Sequence, residues 1–294
     1  MNCMSQRPPL AVVESVPTFF INRDKDTERR RFIEAELAGA HISAHRIVAV
    51  DGRNVPVAMR TYFLEHGRMT SKLSDGEIGC YASHLLATQQ IIARGLPYGL
   101  IVEDDATLPR SLSRDVAEIL STLPTDWDVV QLGTDPSHAF KSIGRLVQGR
   151  QLVCYSRIPS GAVGYLMSAA GAKKFLTRCL REWPVDTDLR QPWAFGTNVY
   201  GVVPRLIGHS GLYKSAVLEY GERSRRRRGV HRPTLQYPCG SLFHTPHSAM
   251  FNIRRLGFFC WVRCLIENIG VRAGRWKIRA TAPHVLVRPN EQAL

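Results

Sequence analysis

The stretch Gly99–Pro109, GLIVEDDATLP, decides how this chain is read. An apolar run that suits a buried strand stops at three consecutive carboxylates, Glu103, Asp104 and Asp105, and then turns apolar again. Adjacent carboxylates repel one another, and burial sharpens the repulsion. A cation removes that cost. Hard oxygen donors in a row suit Mg2+ or Mn2+, which take one or two carboxylates together with substrate phosphates. The plain alternative is a solvated acidic loop, and what weighs against it is the position at the end of a strand.

Working outward, the neighbours of this stretch alternate strand and helix. TFFI (Thr18–Ile21) reads as a short buried strand after Pro17. The charged segment from Asp24 to Leu37 carries Phe32, Ile33 and Leu37 at helical spacing, with Gly39 as its C-cap. HRIVAV (His45–Val50) is a second strand, closing on Asp51-Gly52. SDGE (Ser74–Glu77) is a capping box that opens a helix with Ile78, Ala82, Leu85 and Ile92 on one face, stopped by Gly95. Downstream, Ser111–Leu123 reads as a helix and Trp127–Gly133 as a strand.

This alternation predicts an α/β fold with a mostly parallel central sheet flanked by helices. Ligands of such sheets bind outside the carboxyl ends of the strands, where Asn22, Asp51 and Glu103–Asp105 gather. Past Gly133 the pattern weakens. Ile158–Leu176 suggests a glycine-punctuated strand and loop leading into a helix, Trp183–Leu189 is a second acidic cluster with Pro184 marking a turn, and GHSG (Gly208–Gly211) marks another turn.

Composition narrows the partners. The chain has 294 residues and a formal net charge of +14, and a pI near 9.9, which favours a polyanionic partner: nucleic acid, an acidic membrane surface or a phosphorylated ligand. Seven scattered cysteines without a CxxC pair argue against a zinc site or a disulfide framework and suit a reducing cytoplasm. The N-terminus lacks the order of a secretory signal and no apolar run is long enough to span a bilayer. A cytoplasmic protein, peripheral on the inner face of the membrane, is expected. Neither GxGxxG nor a Walker loop is present, and no histidine pair has the HExxH spacing.

Three motifs then become specific. LSDGEIGCYASH (Leu73–His84), LIVEDDATL (Leu100–Leu108) and DWDVVQLG (Asp126–Gly133) occur in order at short spacing. Together they resemble glycosyltransferase family 25, the lipopolysaccharide and lipooligosaccharide glycosyltransferases typified by β-1,4-galactosyltransferases. FFINRDKDTERR, AVDG (Ala49–Gly52), GAVGYLMSAAGAKKFL and PVDTDL (Pro184–Leu189) extend the likeness over Thr18 to Leu189. Arg23 departs from it, standing where the family usually has leucine after IN.

The resemblance implies a GT-A type fold and transfer of a sugar from a nucleotide donor, most often UDP-galactose, to a glycan or lipid-linked glycan acceptor. EDD would be the family's version of the DXD motif. Asp105 is then expected to bind Mn2+ or Mg2+ directly, Asp104 to serve the ribose or a second metal contact, and Glu103 to orient them. Asn22, Arg29, Asp51 and Gly52 match positions near the nucleotide, although Arg29 beside Arg30 and Arg31 equally suits a solvated face. Glu77 fits a helix cap as well as the site, and His84, seven residues on, either a core position or the donor pocket. An inverting transfer needs a carboxylate at the acceptor hydroxyl, for which Asp186 and Asp188 are the candidates, beside the reading as plain turn acids. His209 suits a further metal contact or a structural role.

Domain organisation follows: an N-terminal extension over residues 1–16, a catalytic domain over 17–221 and a basic, amphipathic region over 222–294. In the last, RSRRRRGVHR (Arg223–Arg232) precedes MFNIRRLGFFCWVRCLIENIG (Met250–Gly270), which suits either an anionic membrane interface or a helix packed on the catalytic domain. A basic nucleic-acid-binding protein and an inactive family-like scaffold are the rival functions. The first lacks any RNP-like, zinc-finger or recognition-helix signature, and the intact EDD speaks against the second.

Overall fold

Thr18–Asn22 (β1) is buried along its whole length. Helices cover the sheet on both sides, so alternate residues serve opposite cores: Phe19 and Ile21 enter one, Phe20 the other. The structure, a computed structural model, describes residues 16–70, 72–213, 246–273, 277–278 and 286–287. Residues 1–15 of the expected N-terminal extension and the arginine run at 223–232 lie outside the described residues; Val16, the last residue of that extension, is buried in the core.

After β1 come Thr27–Gly39 (α1), Ala44–Val48 (β2), a 3-10 turn at Gly52–Asn54, Val57–Arg60 (α2) and a small hairpin, Leu64–Glu65 (β3) with Arg68–Met69 (β4). Asp75–Ala93 (α3) starts at the expected capping box: Ser74 N donates to Glu77 Oε2 at 2.8 Å, and Glu77 N donates to Ser74 Oγ at 3.3 Å. Tyr98–Glu103 (β5), Ala106–Thr107 (β6), Leu112–Thr122 (α4) and Val129–Gln131 (β7) follow. Phe140–Arg145 (β8), Gln151–Tyr155 (β9) and Gly164–Ser168 (β10) lead into Ala169–Phe175 (α5). Two single turns, Val185–Asp188 (α6) and Pro192–Phe195 (α7), precede Val199–Val203 (β11) and Gly208–His209 (β12). Pro246–Leu256 (α8) and Phe258–Arg272 (α9) form a helical pair.

The main sheet has eight strands in the order β2-β1-β5-β10-β7-β11-β9-β8. The α/β class and the flanking helices are those expected from the sequence. The parallel part comprises β2-β1-β5 and β7-β11. Between them β10 runs antiparallel to both neighbours, and β9 and β8 continue antiparallel at the far edge. One core packs α3 and α5 on the sheet through Tyr81, Leu85, Ala172 and Phe175. The other packs α1 and α4 through Ile33, Leu37, Val116 and Ile119.

The C-terminal pair docks on this body. Leu256 and Cys264 are buried, Asn252 Nδ2 donates to Ser156 O at 3.2 Å, and Asn268 Oδ1 accepts from Ala139 N at 2.7 Å. The guanidinium of Arg255 lies 4.4 Å from the centre of the Tyr200 ring. Among the described residues no helix is long and apolar enough to cross a membrane.

Candidate active site

Parallel pairing places Ile21 beside Glu103, so β1 and β5 deliver Asn22 and the three acids to the same end of the sheet. There a cavity of about 560 Å³ is lined by Asn22 and Arg29, by the 3-10 turn at Gly52, by Gly76, Glu77 and His84 of α3, and by Glu103, Asp104 and Asp105. Ser160, Gly161, Asp186 and His209 close its other side.

The chain itself supplies much of the positive charge that the acidic cluster demands. Arg29 Nε donates to Asp104 Oδ1 at 2.7 Å, and Arg29 Nη2 bonds to the same oxygen and to Asp105 Oδ2, the latter at 2.9 Å. Asn22 Nδ2 donates to Asp104 Oδ2 at 2.8 Å. Burial opposes the Arg29 charge, but Asp104 and Asp105 outweigh it and raise its pKa. The solvated-face reading of Arg29 is therefore corrected: while Arg30 pairs with Glu34 in solvent, Arg29 turns inward because the two carboxylates face it. Arg23, the departure from the family pattern, pairs with Asp26 at 2.5 Å and also lines the cavity.

His209 comes from far along the chain. The two-residue pairing of β12 with β6, reinforced by Ser210 N donating to Asp105 O at 2.9 Å, sets His209 Nε2 at 3.2 Å from Asp105 Oδ2. Burial and the neighbouring Glu103 raise the Asp105 pKa. Among the described residues, Asp105 Oδ1 is buried and has no hydrogen-bond partner. A buried, unpartnered carboxylate oxygen next to an imidazole nitrogen fits one edge of a divalent-cation site, the rest of which donor phosphates and water would complete.

Glu103 lies 3.5 Å from His84 Nε2. Burial alone would raise its pKa, but His84, with Arg29 and His209, holds it below the ordinary range. His84 is buried, its Nδ1 sits 2.9 Å from the Tyr165 hydroxyl, and its other nitrogen faces the cavity side. It joins the core to the pocket. Cys80, His84 and Glu103 present ligand atoms within 4.8 Å of one another, a second, softer set. The absence of CxxC did not reveal it; the signal was the four-residue spacing of Cys80 and His84, which puts both on one face of α3.

The remaining candidates separate. Glu77 caps α3 and lines the cavity. Gly52 lines it as well, packed so closely on α3 that a Cβ would lie 1.8 Å from Asp75 O. Asp51 accepts from Arg53 N at 3.0 Å and pairs with the Arg53 guanidinium at 3.1 Å, outside the cavity lining. Asp186 lines the cavity and accepts from Ser160 Oγ at 2.6 Å. Asp188 is buried, receives the Tyr81 hydroxyl at 2.8 Å and does not line it. Because α6 is a helical turn, positions two apart face different ways, and Asp186 is the acid left on the cavity side. Ser160 had no signal beyond its place before Gly161.

The family model for glycosyltransferase family 25 (LPS biosynthesis protein) matches residues 15–190. The chain is 25% identical over 194 residues to the mouse protein named inactive glycosyltransferase 25 family member 3, covering 61% of this chain and 32% of that protein. It is 28% identical over 177 residues to zebrafish procollagen galactosyltransferase 1, covering 54% of this chain and 28% of the relative. For human procollagen galactosyltransferase 2 the figures are 25% over 205 residues, with 60% and 32% covered. The matched region thus spans about a third of these curated relatives. A crystal structure of a glycosyltransferase involved in the glycosylation of the major capsid of PBCV-1 aligns with a TM-score of 0.41 at 8% identity, over 70% of this chain and 96% of that one. With the family model covering well over half its length, the chain belongs to glycosyltransferase family 25.

Proposed function

We propose that the chain is an inverting hexosyltransferase that moves galactose from UDP-galactose to a hydroxyl of a lipopolysaccharide or related surface glycan, assisted by Mn2+ or Mg2+. The observation that carries this reading is the pairing of Asp105, with its unpartnered Oδ1 and His209 alongside, with Asp186 in the wall of the same cavity. A divalent ion held by Asp105 and His209 would neutralise the diphosphate and favour its departure. Glu103, held ionised by His84, adds negative charge beside that place.

Asn22 and Arg29 fix Asp104 so that its carboxylate keeps one orientation at the nucleotide end. Arg29 also reaches Asp105, and on donor binding its guanidinium is in place to exchange a carboxylate oxygen for a phosphate oxygen. Asp186 takes the proton of the acceptor hydroxyl as that oxygen attacks the anomeric carbon from the face opposite the diphosphate. Ser160 Oγ, donating to Asp186 Oδ2, aims the other carboxylate oxygen.

One observation favours an alternative. The two aspartates are already bridged by Arg29, as an inactive scaffold would keep them. UDP formation from UDP-galactose, measured with a lipooligosaccharide acceptor in Mn2+ and in excess EDTA, separates the two. Acceptor-dependent UDP formation that EDTA abolishes and Mn2+ restores is expected. Binding of UDP without transfer to any acceptor, from any nucleotide sugar tested, would replace the enzyme by a nucleotide-binding scaffold.

A further inference from the structure

We infer that the outer face of α9 is a membrane-interface surface that lays this chain on an anionic lipid bilayer. The alternatives left open by the sequence, a packed helix or an interfacial one, are two faces of the same helix. The inner face holds Cys264 and Asn268 against the body, as described above. On the other side Phe258, Phe259, Ile266 and Ile269 stand in solvent with 55%, 88%, 57% and 65% of their surface exposed.

At about 100° per residue these four side chains fall in one stripe, with Val262 among them. Exposed Arg263 and Arg272 mark its two borders. The rings of Phe258 and Phe259 lie 5.7 Å apart, and Phe258 lies 6.2 Å from Trp261, so the N-terminal end of the stripe is a joined aromatic cluster. Monomeric surfaces seldom leave such a patch without a partner.

Charge selects the occupant. Glu267 is the single acid of α8 and α9, it is largely buried, and it sits 3.7 Å from Arg263. Against it stand Arg254, Arg263 and Arg272, all exposed, while Arg255 is turned inward over Tyr200. A second copy of this face would set like charges against each other at both borders. A bilayer carrying anionic headgroups complements both parts, with the apolar stripe in the acyl boundary and the arginines at the phosphates. The helix preceding this surface packs toward the turn that carries Asp186: Trp193 of α7, which follows α6, meets Phe251 of α8 with ring centres 6.2 Å apart. A lipid-linked acceptor held at the bilayer would be presented from that side, a link that rests on the proposed transfer; membrane binding does not.

Co-sedimentation of the full chain with phosphatidylcholine vesicles, with and without phosphatidylglycerol, tests the inference without any transfer assay. Binding to the anionic vesicles alone, weakened by salt, is expected. Replacing Phe259 and Ile266 together by serine should lower partitioning about tenfold or more. Replacing Arg263 and Arg272 by glutamine should cost about fivefold for each and flatten the salt dependence. Val57→Ser, at an exposed apolar residue on α2, should change nothing. Circular dichroism identifies any variant that fails to fold, and Phe259→Ser alone serves as the milder substitute. Failure of the parent chain to bind anionic vesicles overturns the inference, as does binding indifferent to the α9 variants. So does a dimer in solution that Phe259→Ser dissociates while vesicles are ignored, since the occupant would then be a second copy.

Discussion

Tyr81 donates its hydroxyl proton to Asp188 Oδ2 across 2.8 Å, tying the cavity-lining helix α3 to the turn that carries Asp186. Both groups are buried. The guanidinium of Arg181 lies 5.4 Å from the Tyr81 ring centre. Burial pushes the Asp188 carboxyl up to about 7, against the opposing pull of the Tyr81 hydrogen bond and the Arg181 charge.

The pH dependence of stability follows from that shift. Between the ordinary carboxylate range and about 7, the folded chain keeps a proton on Asp188 that the unfolded chain has released. The stabilisation is therefore complete in acid and lost as pH rises, at up to about 1.4 kcal/mol per pH unit, levelling off once Asp188 is ionised in both states. Asp188→Asn keeps an acceptor oxygen for Tyr81 and removes the titration. Its advantage over the parent chain in urea unfolding should grow from pH 4 to about pH 7 and then stay constant. A difference that does not vary with pH would show that Asp188 is already charged in the fold.

The cation site gives a second expectation. Asp105→Asn removes charge at nearly constant shape, so calorimetric Mn2+ binding in the presence of UDP should be lost and transfer with it. His209→Gln should weaken Mn2+ by at least about 10–100-fold, the cost of losing even an outer-shell partner of a metal ligand. Cys80→Ser should leave Mn2+ binding unchanged, because a hard ion prefers oxygen to sulfur. Should Cys80→Ser weaken it and Asp105→Asn not, the ion belongs with Cys80, His84 and Glu103.

Which parts of this arrangement were legible in the sequence depends on the range of the interaction. The capping box at Ser74 and Glu77 spans four residues, so the start of α3 could be read directly. The ends of β1 and β5 were legible because strands buried on both faces are uniformly apolar until the chain reaches the polar cavity at the end of the sheet. The inward turn of Arg29 was hidden among three consecutive arginines, since only the far-off Asp104 and Asp105 distinguish it from Arg30 and Arg31. The approach of His209 to Asp105 rests on β12 and β6, each two residues long and too short to leave a periodic pattern. Asp186 and Asp188 parted because a helical turn, not a strand, carries them. The strand expected within Ile158–Leu176 is β10, leading into α5; its antiparallel course was not legible, because it is set by pairing with β5 and β7, far away in the sequence.

Glycine also sets the cavity wall. A Cβ on Gly79 would lie 2.5 Å from Val50 O and 2.9 Å from Gly52 N, both backbone atoms with little room to yield. Gly79→Ala should therefore push the Gly52–Asn54 turn off α3, costing about 1–3 kcal/mol of stability and weakening UDP binding. Gly39→Ala, in a helix with nothing within 4 Å of the new Cβ, should leave stability unchanged or raise it. Thermal unfolding with and without UDP compares the two. A Gly79→Ala chain with unaltered Tm and UDP affinity would mean that the turn is not held by this contact.

The assignment of the base makes the last expectation. Asp186 lines the cavity and is aimed by Ser160, whereas Asp188 is spent on Tyr81 inside the fold. Asp186→Asn keeps the shape and the hydrogen bond from Ser160 but cannot take a proton from the acceptor hydroxyl. Its kcat should fall by about 10²–10⁴-fold, the scale of general base catalysis. The UDP Kd should remain that of the parent chain, because the residue serves the acceptor and not the nucleotide. Ser160→Ala should lower kcat to a smaller extent, since it loosens the aim of the carboxylate without removing it. Turnover, UDP affinity and unfolding measured on the same preparations separate these effects from loss of fold. If Asp186→Asn retains full turnover, the proton goes elsewhere. If Asp188→Asn shows the loss instead, with its fold intact, the α6 turn must open during the reaction and exchange which acid faces the acceptor.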